Sequence, residues 1–120
     1  MSKIIGVVGS RRRNSDTDKS LVVEKFFSIY EEGDIICSGL CKTGADKFAL
    51  DIHEKNFIPC LWFPANWPKY KLQAGFIRNT DIAKFSDILI ACVAEDRTGG
   101  TEDTIKKFIE FHGKDNLIII

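Results

Sequence analysis

The chain has 120 residues, with 17 Lys and Arg against 17 Asp and Glu, so its formal net charge is zero. This length suits a single domain over 1–120, since domains typically run from about 50 to 250 residues. The content of 44% hydrophobic and 28% charged residues argues against a disordered chain, and the zero net charge argues against a generally basic nucleic-acid binder.

The first half of the chain alternates strand-like apolar runs with helix-like stretches. The run at 3–8 is short and rich in β-formers, which suits a buried parallel strand. An S-x-x-D box from Ser15 to Asp18 indicates the start of a helix, whose C-cap is predicted at Gly33. The elements predicted in this half are a strand over 3–8, a helix over about 18–32, a strand over 34–37 and a helix with Ala45, Phe48, Ala49 and Ile52 facing inward.

The second half continues the alternation around one long loop. The segment 64–75 contains Pro64, Asn66 and Pro68, a composition that predicts a loop and a poor helix. Pro59 places the preceding run at the start of a strand or on an edge of the sheet. The elements predicted in this half are strands over 57–63, 87–93 and 116–120, and helices over 76–85 and about 101–112, the second of which is capped by Gly113.

Five predicted strands alternate strictly with four predicted helices, a pattern typical of βαβ units with right-handed crossovers. The expected fold class is α/β, a three-layer Rossmann-like open parallel sheet with strand order 3-2-1-4-5. In such a sheet, ligands bind outside the carboxyl ends of the strands, where the strand order reverses. That point lies between strands 1 and 4, so the loops at 9–17 and 94–101 are predicted to form the site, beside the loops at 38–44 and 64–75.

Basic residues are concentrated in two segments that carry these loops. Four lie between Met1 and Ser15, four lie from Lys55 to Thr80, and neither segment contains an acid. A neutral chain that concentrates cations there is expected to bind an anion, aided by the N–H groups and dipoles of helix N-termini. Solvated surface charge is the alternative interpretation.

The sequence Thr98-Gly99-Gly100-Thr101 joins a predicted buried strand to a helix. Glycine there lets the backbone approach a phosphate closely, and Thr101 can cap the helix or donate to an oxygen. A simple tight turn is the alternative interpretation. Ser38 and Gly39, followed by Gly44, repeat the arrangement after the second strand.

Three acids fall in the first turns of predicted helices, namely Asp46, Glu102 and Asp103. Complementing the helix dipole, binding ribose hydroxyls and acting as a general base on water are three roles that the sequence leaves open. Trp67 lies in the long loop, where stacking on a base and covering the pocket are its two candidate roles.

The four cysteines include one lone CxxxC pair, Cys37 and Cys41, which is a weak metal signal. We interpret all four as buried or loop thiols in a reducing cell, and we predict no metal site and no cofactor. The chain has no apolar run near the roughly 20 residues that span a bilayer and no signal-peptide pattern, so a cytoplasmic protein without a membrane partner is expected.

Six weak motifs follow one another in an order that is more specific than any one of them. They are Gly9-Ser10-Arg11, Ser38-Gly39 with Gly44-Ala45-Asp46, Phe63-Pro64-Ala65-Asn66-Trp67, Ala74-Gly75, Arg78-Asn79, and Thr98-Gly99-Gly100-Thr101 with Asp103. In this order they resemble the YspA-like branch of the SLOG superfamily, which also includes the LOG cytokinin-activating phosphoribohydrolases and the DNA-processing protein DprA. The resemblance covers nearly the whole chain.

This resemblance implies a Rossmann-like homo-oligomer that binds a nucleotide or an ADP-ribose-like ligand, in some members as a sensor. LOG enzymes hydrolyse the N-glycosidic bond of a nucleoside monophosphate with a PGGxGTxxE motif and an upstream Arg. Arg78 corresponds to that Arg, and Gly100 and Thr101 to the GT. Thr104 stands where the pattern has Glu, and residues 96–98 replace its Pro-Gly-Gly.

The leading hypothesis is therefore a nucleotide-binding protein. Its alternative is N-glycosidic hydrolysis, in which Arg78 holds the phosphate and Glu102 or Asp103 replaces the missing Glu. DprA-like binding of single-stranded DNA is a third hypothesis, which the zero net charge disfavours. The predicted ligand-binding residues are Gly9, Ser10, Arg11, Ser38, Gly39, Asp46, Trp67, Arg78, Asn79, Gly99, Gly100 and Thr101.

Overall fold

Five parallel strands form one sheet in the order β3-β2-β1-β4-β5 in the computed structural model, which describes residues 2–120. This confirms the predicted α/β fold and strand order. In chain order the elements are β1 (Ile4–Gly9), α1 (Asp16–Ile29), β2 (Ile35–Ser38), α2 (Ala45–Asn56), β3 (Cys60–Trp62), α3 (Trp67–Tyr70), a 3-10 turn (Lys71–Gln73), α4 (Ala74–Phe85), β4 (Ile88–Cys92), α5 (Gly100–His112) and β5 (Leu117–Ile119).

Two buried apolar clusters lie on opposite faces of the sheet. Successive side chains of a strand point to opposite faces, so Val7 of β1 belongs to the first cluster and Val8 to the second. Phe26 of α1 packs in the first cluster and Phe108 of α5 in the second. The molecule therefore has three layers, with α1 and α2 on one face and α4 and α5 on the other.

The predicted loop at 64–75 contains the short helix α3, the 3-10 turn and the first two residues of α4, so the prediction of a poor helix there is wrong for nine of its twelve residues. The Asn66 side chain accepts a hydrogen bond from the Lys69 N–H, and Pro68 lies in the first turn. A proline in the first turn loses no intrahelical hydrogen bond, because the N–H groups there have no helical partner. The breaker residues in this segment start a helix instead of preventing one.

Two other helix boundaries test the predicted caps. The box from Ser15 to Asp18 is present, with the Ser15 hydroxyl accepting from the Asp18 N–H and the Asp18 carboxylate accepting from the Ser15 N–H. The predicted C-cap at Gly33 is wrong, because α1 ends at Ile29 and its C-cap is Tyr30. Gly33 lies beyond the helix, in the turn that leads to β2.

The sheet register brings the ends of β1 and β4 to the same edge. Gly9 is paired with Cys92, and the Ser10 N–H continues the pairing by donating to the Cys92 carbonyl at 2.9 Å. The strand order reverses here, since β1 lies between β2 and β4. The loops that follow β1 and β4 therefore begin side by side.

Across residues 2–120, every helix is too short or too polar to cross a membrane.

Asp34 connects the start of β1 to the turn before β2. It is 1% exposed, and its carboxylate accepts from the Lys3 and Glu31 backbone N–H groups at 3.0 and 2.8 Å and from the Lys3 ammonium. Burial opposes ionisation of this carboxyl, but the hydrogen bonds from Lys3 and Glu31 outweigh it and hold the pKa of Asp34 below its ordinary value.

We expect Asp34→Asn to lower the free energy of unfolding at neutral pH by about 1 to 3 kcal/mol, because it removes a buried acceptor of three hydrogen bonds. A pKa that is lower in the folded state stabilises the fold above the unfolded value of about 3.9, and this contribution is lost as the pH falls through the folded value. Urea denaturation should therefore show the gap between variant and wild type narrowing as the pH falls below about 3.9. Asp115→Asn, in an exposed turn, is the matched control, and a gap of constant size would contradict the assignment.

Candidate functional site

A cavity of about 250 Å³ opens at the edge of the sheet where the strand order reverses. It is bordered by the ends of β1 and β4, by the N-termini of α2 and α5, and by one face of α4. The residues that line it are Val8, Gly9, Ser10, Arg11, Arg12, Cys41, Asp46, Arg78, Asn79, Ile82, Thr98, Gly99, Gly100, Thr101 and Thr104.

Gly9 allows three elements to meet at the base of this cavity. A Cβ at this position would lie 2.7 Å from the Ala45 Cβ and 2.9 Å from both the Cβ and the carbonyl oxygen of Cys92. The N-terminus of α2 is held against the loop after β1 as well, because the Gly44 N–H donates to the Asn14 side chain at 2.7 Å. Glycine is thus required at the end of β1 by packing.

The N-terminus of α5 presents free hydrogen-bond donors to the cavity. Gly99 is the N-cap, with φ 110° and no side-chain cap, a conformation that favours glycine. The N–H groups of Gly100 and Thr101 have no partner within residues 2–120, whereas the Glu102 N–H donates to the Gly99 carbonyl at 3.2 Å. Unpaired N–H groups and the helix dipole together favour an anion at this end of α5.

Two threonine hydroxyls join these donors. Thr101 is 8% exposed and Thr104 is 1% exposed, yet both line the cavity. Neither hydroxyl has a hydrogen-bond partner among residues 2–120. Neither hydroxyl is among the fully buried unpartnered atoms of residues 2–120, so both are open to the cavity, where a ligand or solvent can satisfy them.

The three consecutive arginines after β1 have three different environments. Arg12 forms a two-point ion pair with Asp96, with both N–O distances at 2.9 Å, and also donates to the hydroxyl and carbonyl of Thr98. This contact, which we call the loop clasp, joins the loop after β1 to the loop after β4. Hydrogen bonds from Arg12 and Thr98 hold the pKa of Asp96 well below its ordinary value, so this carboxylate stays ionised in mildly acidic solution as well.

Arg13 and Arg11 differ in what they can offer a ligand. Arg13 is used within the fold, since it donates to the Asp18 carboxylate at 3.0 Å and to the carbonyl oxygens of Val93 and Ile120. Arg11 is exposed, lines the cavity and has no side-chain hydrogen bond or ion pair within residues 2–120. Arg11 is therefore the arginine of the three that is free to bind an anion.

Arg78 of α4 crosses the floor of the cavity. Its guanidinium donates to the Gly39 carbonyl at 3.2 Å and to the Asn79 side chain at 3.1 Å, and it lies 3.9 Å from Asp46. A Cβ at Gly39 would lie 2.5 Å from Nη1, so the guanidinium needs glycine there. The side chain is 14% exposed, and its Nη2 has no partner among the described residues.

Asp46 is the acid that lines the cavity. Its Oδ1 lies 2.9 Å from the Ser38 hydroxyl, and its Oδ2 accepts from the Cys41 N–H at 3.0 Å. The Cys41 thiol also faces the cavity, and burial followed by the charge of Asp46 raises its pKa. This thiol therefore remains protonated at neutral pH and is a poor nucleophile.

The structure gathers nine of the twelve predicted ligand-binding residues around one cavity and leaves three outside its lining. Ser38 and Gly39 lie behind the cavity wall, where they position Asp46 and Arg78. Trp67 lies on α3, is 52% exposed, and is not among the lining residues.

Of the residues predicted for hydrolysis, Arg78 lines the cavity and the two acids of α5 do not. Glu102 forms a two-point ion pair with Arg97 at 2.9 Å. Asp103 pairs with Lys107 at 2.8 Å and accepts from the Asn79 side chain. Both carboxylates are therefore engaged away from the place where a ligand would be held.

Sequence reasoning did not identify several lining residues, of which Arg12, Cys41, Thr98 and Thr104 are polar. Thr104 was accessible from the sequence, because it lies three residues after Thr101 and residues three apart share a helix face. The contact between Arg12 and Asp96 spans 84 positions, and nothing local in the sequence indicates it.

Neither a protein-family model, nor a curated protein, nor a solved structure matches this chain. Within residues 2–120, no group of three or more His, Cys, Asp or Glu side chains is placed to hold a metal ion. The four cysteines are free thiols, with Cys37 and Cys92 buried.

We expect Gly9→Ala to destabilise the protein by about 1 to 3 kcal/mol, the usual result of forcing a methyl group into a packed site. Gly100→Ala is the matched control, because a Cβ there meets only the Asn79 side chain at 3.8 Å and alanine favours the helix. Urea denaturation of the two variants measures the difference. Equal stabilities would contradict the close approach of β1, β4 and α2.

Proposed function

We propose that this protein binds a nucleotide or a nucleotide-derived phosphorylated ligand in the cavity at the switch point of the sheet. The observation that carries the proposal is the convergence of unpartnered donors on one small space. The N–H groups of Gly100 and Thr101, the hydroxyls of Thr101 and Thr104, and the Arg11 guanidinium all border it. Together they provide the charge and hydrogen bonds that a phosphate requires.

The balance of free charge in the cavity also favours an anion. Arg12 lines the cavity but is neutralised by Asp96, and Arg78 lies near Asp46, so those charges largely offset each other. Arg11 then remains as a cation without a partner in residues 2–120. The positive end of the α5 dipole adds to it.

The resemblance to YspA-like SLOG proteins supports the same ligand class, and it suggests a role as a sensor of nucleotide signals. The structure gives less support to the alternative of N-glycosidic hydrolysis. Glu102 and Asp103 are paired with Arg97 and Lys107 outside the cavity lining, and Thr104 occupies the position of the LOG glutamate. Homo-oligomer formation and a cytoplasmic location remain predictions, and DprA-like binding of DNA remains the hypothesis that the zero net charge disfavours.

We expect Arg11→Ala to weaken the binding of adenosine 5′-monophosphate by about tenfold or more, because a charge-assisted hydrogen bond contributes about 1.5 to 3 kcal/mol. Thr101→Asp should weaken it further, since it places a carboxylate where the phosphate is expected. Isothermal titration calorimetry on the wild type and both variants measures these changes.

Lys106→Ala is the matched control for the loss of a cation, because Lys106 is exposed on α5 and does not line the cavity. Its affinity should equal that of the wild type. Binding to Thr101→Asp as tight as to the wild type would contradict the placement of the phosphate at the N-terminus of α5. The proposal would also be contradicted if no ligand binds in a panel of mono-, di- and cyclic nucleotides and ADP-ribose.

We expect the protein to bind nucleoside monophosphates without releasing the base. An acid is needed to activate water or to stabilise the oxocarbenium-like transition state of N-glycosidic cleavage, and the two acids assigned to that role, Glu102 and Asp103, are paired with Arg97 and Lys107 and do not line the cavity. Chromatography of a nucleotide panel after incubation measures free base. Base release that is lost in Glu102→Gln or Asp103→Asn would establish hydrolysis in place of simple binding.

A further inference from the structure

We infer that the cavity encloses a ribose 5-phosphate group, with the phosphate at the N-terminus of α5 and the ribose hydroxyls at Asp46, and that the base lies outside. This inference rests on the proposed function and specifies which part of the nucleotide the protein recognises. Three independent features of the cavity support it, namely the separation of its charges, the incomplete hydrogen bonding of Asp46, and its size and lining.

The two ends of the cavity have opposite chemistry. Free N–H and hydroxyl donors lie at α5, whereas the carboxylate of Asp46 lies at α2. Arg78 and Asn79 connect these ends, because Arg78 lies near Asp46 and donates to the Asn79 side chain, which in turn donates to the Gly100 carbonyl at 3.2 Å. A ligand that fits both ends carries an anion at one end and hydroxyl or amine donors at the other.

The Asp46 carboxylate accepts fewer hydrogen bonds from the protein than its two oxygens can accept. The Ser38 hydroxyl lies 2.9 Å from Asp46 Oδ1 but also 2.7 Å from the Val7 carbonyl oxygen. A hydroxyl has one proton, so it serves one of these two acceptors at a time. Oδ1 is thus short of a donor, while Oδ2 has its hydrogen bond from the Cys41 N–H. A carboxylate offers about four acceptor positions, which leaves room for the adjacent hydroxyls of a ribose.

The size and lining of the cavity fit a sugar phosphate better than a whole nucleotide. Its volume of about 250 Å³ is below the roughly 300 to 1,000 Å³ that encloses a drug-sized ligand. None of its fifteen lining residues is aromatic, although bases are commonly bound by stacking on aromatic side chains. The enclosed donors at the Asp46 end therefore belong to the sugar, and the base contributes little to affinity.

The experiment is a calorimetric comparison of four ligands on the wild-type protein. They are ribose 5-phosphate, 2-deoxyribose 5-phosphate, adenosine 5′-monophosphate and its 2′-deoxy form. We expect ribose 5-phosphate to bind within about tenfold of the nucleotide, and each deoxy ligand to bind at least about tenfold more weakly than its ribose counterpart. Asp46→Asn should reduce this preference for ribose, because an uncharged amide accepts hydroxyl donors less strongly.

Asp16→Asn is the matched control, since Asp16 is an exposed acid in the first turn of α1 and does not line the cavity. It should keep the full preference for ribose. The wild-type comparison decides the question even where Asp46→Asn fails to fold, which thermal unfolding detects.

Two results would overturn the inference while leaving the proposed function intact. One is equal binding of the ribose and deoxyribose ligands. The other is nucleotide binding that depends strongly on the base, with no binding of ribose 5-phosphate. Failure of all four ligands and of the wider nucleotide panel would instead remove the proposed function itself.

Discussion

At Gly9, the end of β1 lies against Ala45 of α2 and Cys92 of β4, and a single added methyl group would force all three apart. This close approach fixes how near the ends of β1 and β4 lie to the N-terminus of α2 at the point where the strand order reverses. It brings the N-terminus of α2, the loop after β1 and the loop after β4 to the edge of the same cavity. The proposed binding site depends on that convergence, because the donors of α5 and the carboxylate of Asp46 can contact one ligand only when they border one space.

Although the net charge is zero, the three arginines after β1 have different roles. Arg12 and Arg13 stabilise the fold, the first by joining two loops and the second by contacting Asp18 and the Val93 carbonyl. Arg11 lies between β1 and these two arginines in the chain, and its side chain has no hydrogen-bond or ion-pair partner within residues 2–120. The proposed affinity for an anion thus rests on which cations lack partners and on the backbone of α5, and it does not require a positive net charge.

The fold was predictable because its signals are local. Apolar β-rich runs, the cap at Ser15 and the inward stripe of α2 are each contained in a few residues, and parallel βαβ connections restrict the strand order. The site was predictable to the level of its loops, since the loops of a parallel sheet gather at one edge. Which side chains enter the cavity depends on contacts between distant positions, such as Arg12 with Asp96, and those are not visible in the sequence. The ion pair between Asp103 and Lys107 is different, because residues four apart on a helix are neighbours and that spacing is visible in the sequence.

The loop clasp between Arg12 and Asp96 also has consequences for the rate of binding. It holds the loops after β1 and β4 in place before any ligand arrives, so little loop ordering remains to be done during binding. The rate at which the proposed ligand associates would then depend on how often it meets the cavity, and the unpaired charge of Arg11 would attract an anion to it. Ligands of different affinity would consequently differ mainly in how long they stay bound.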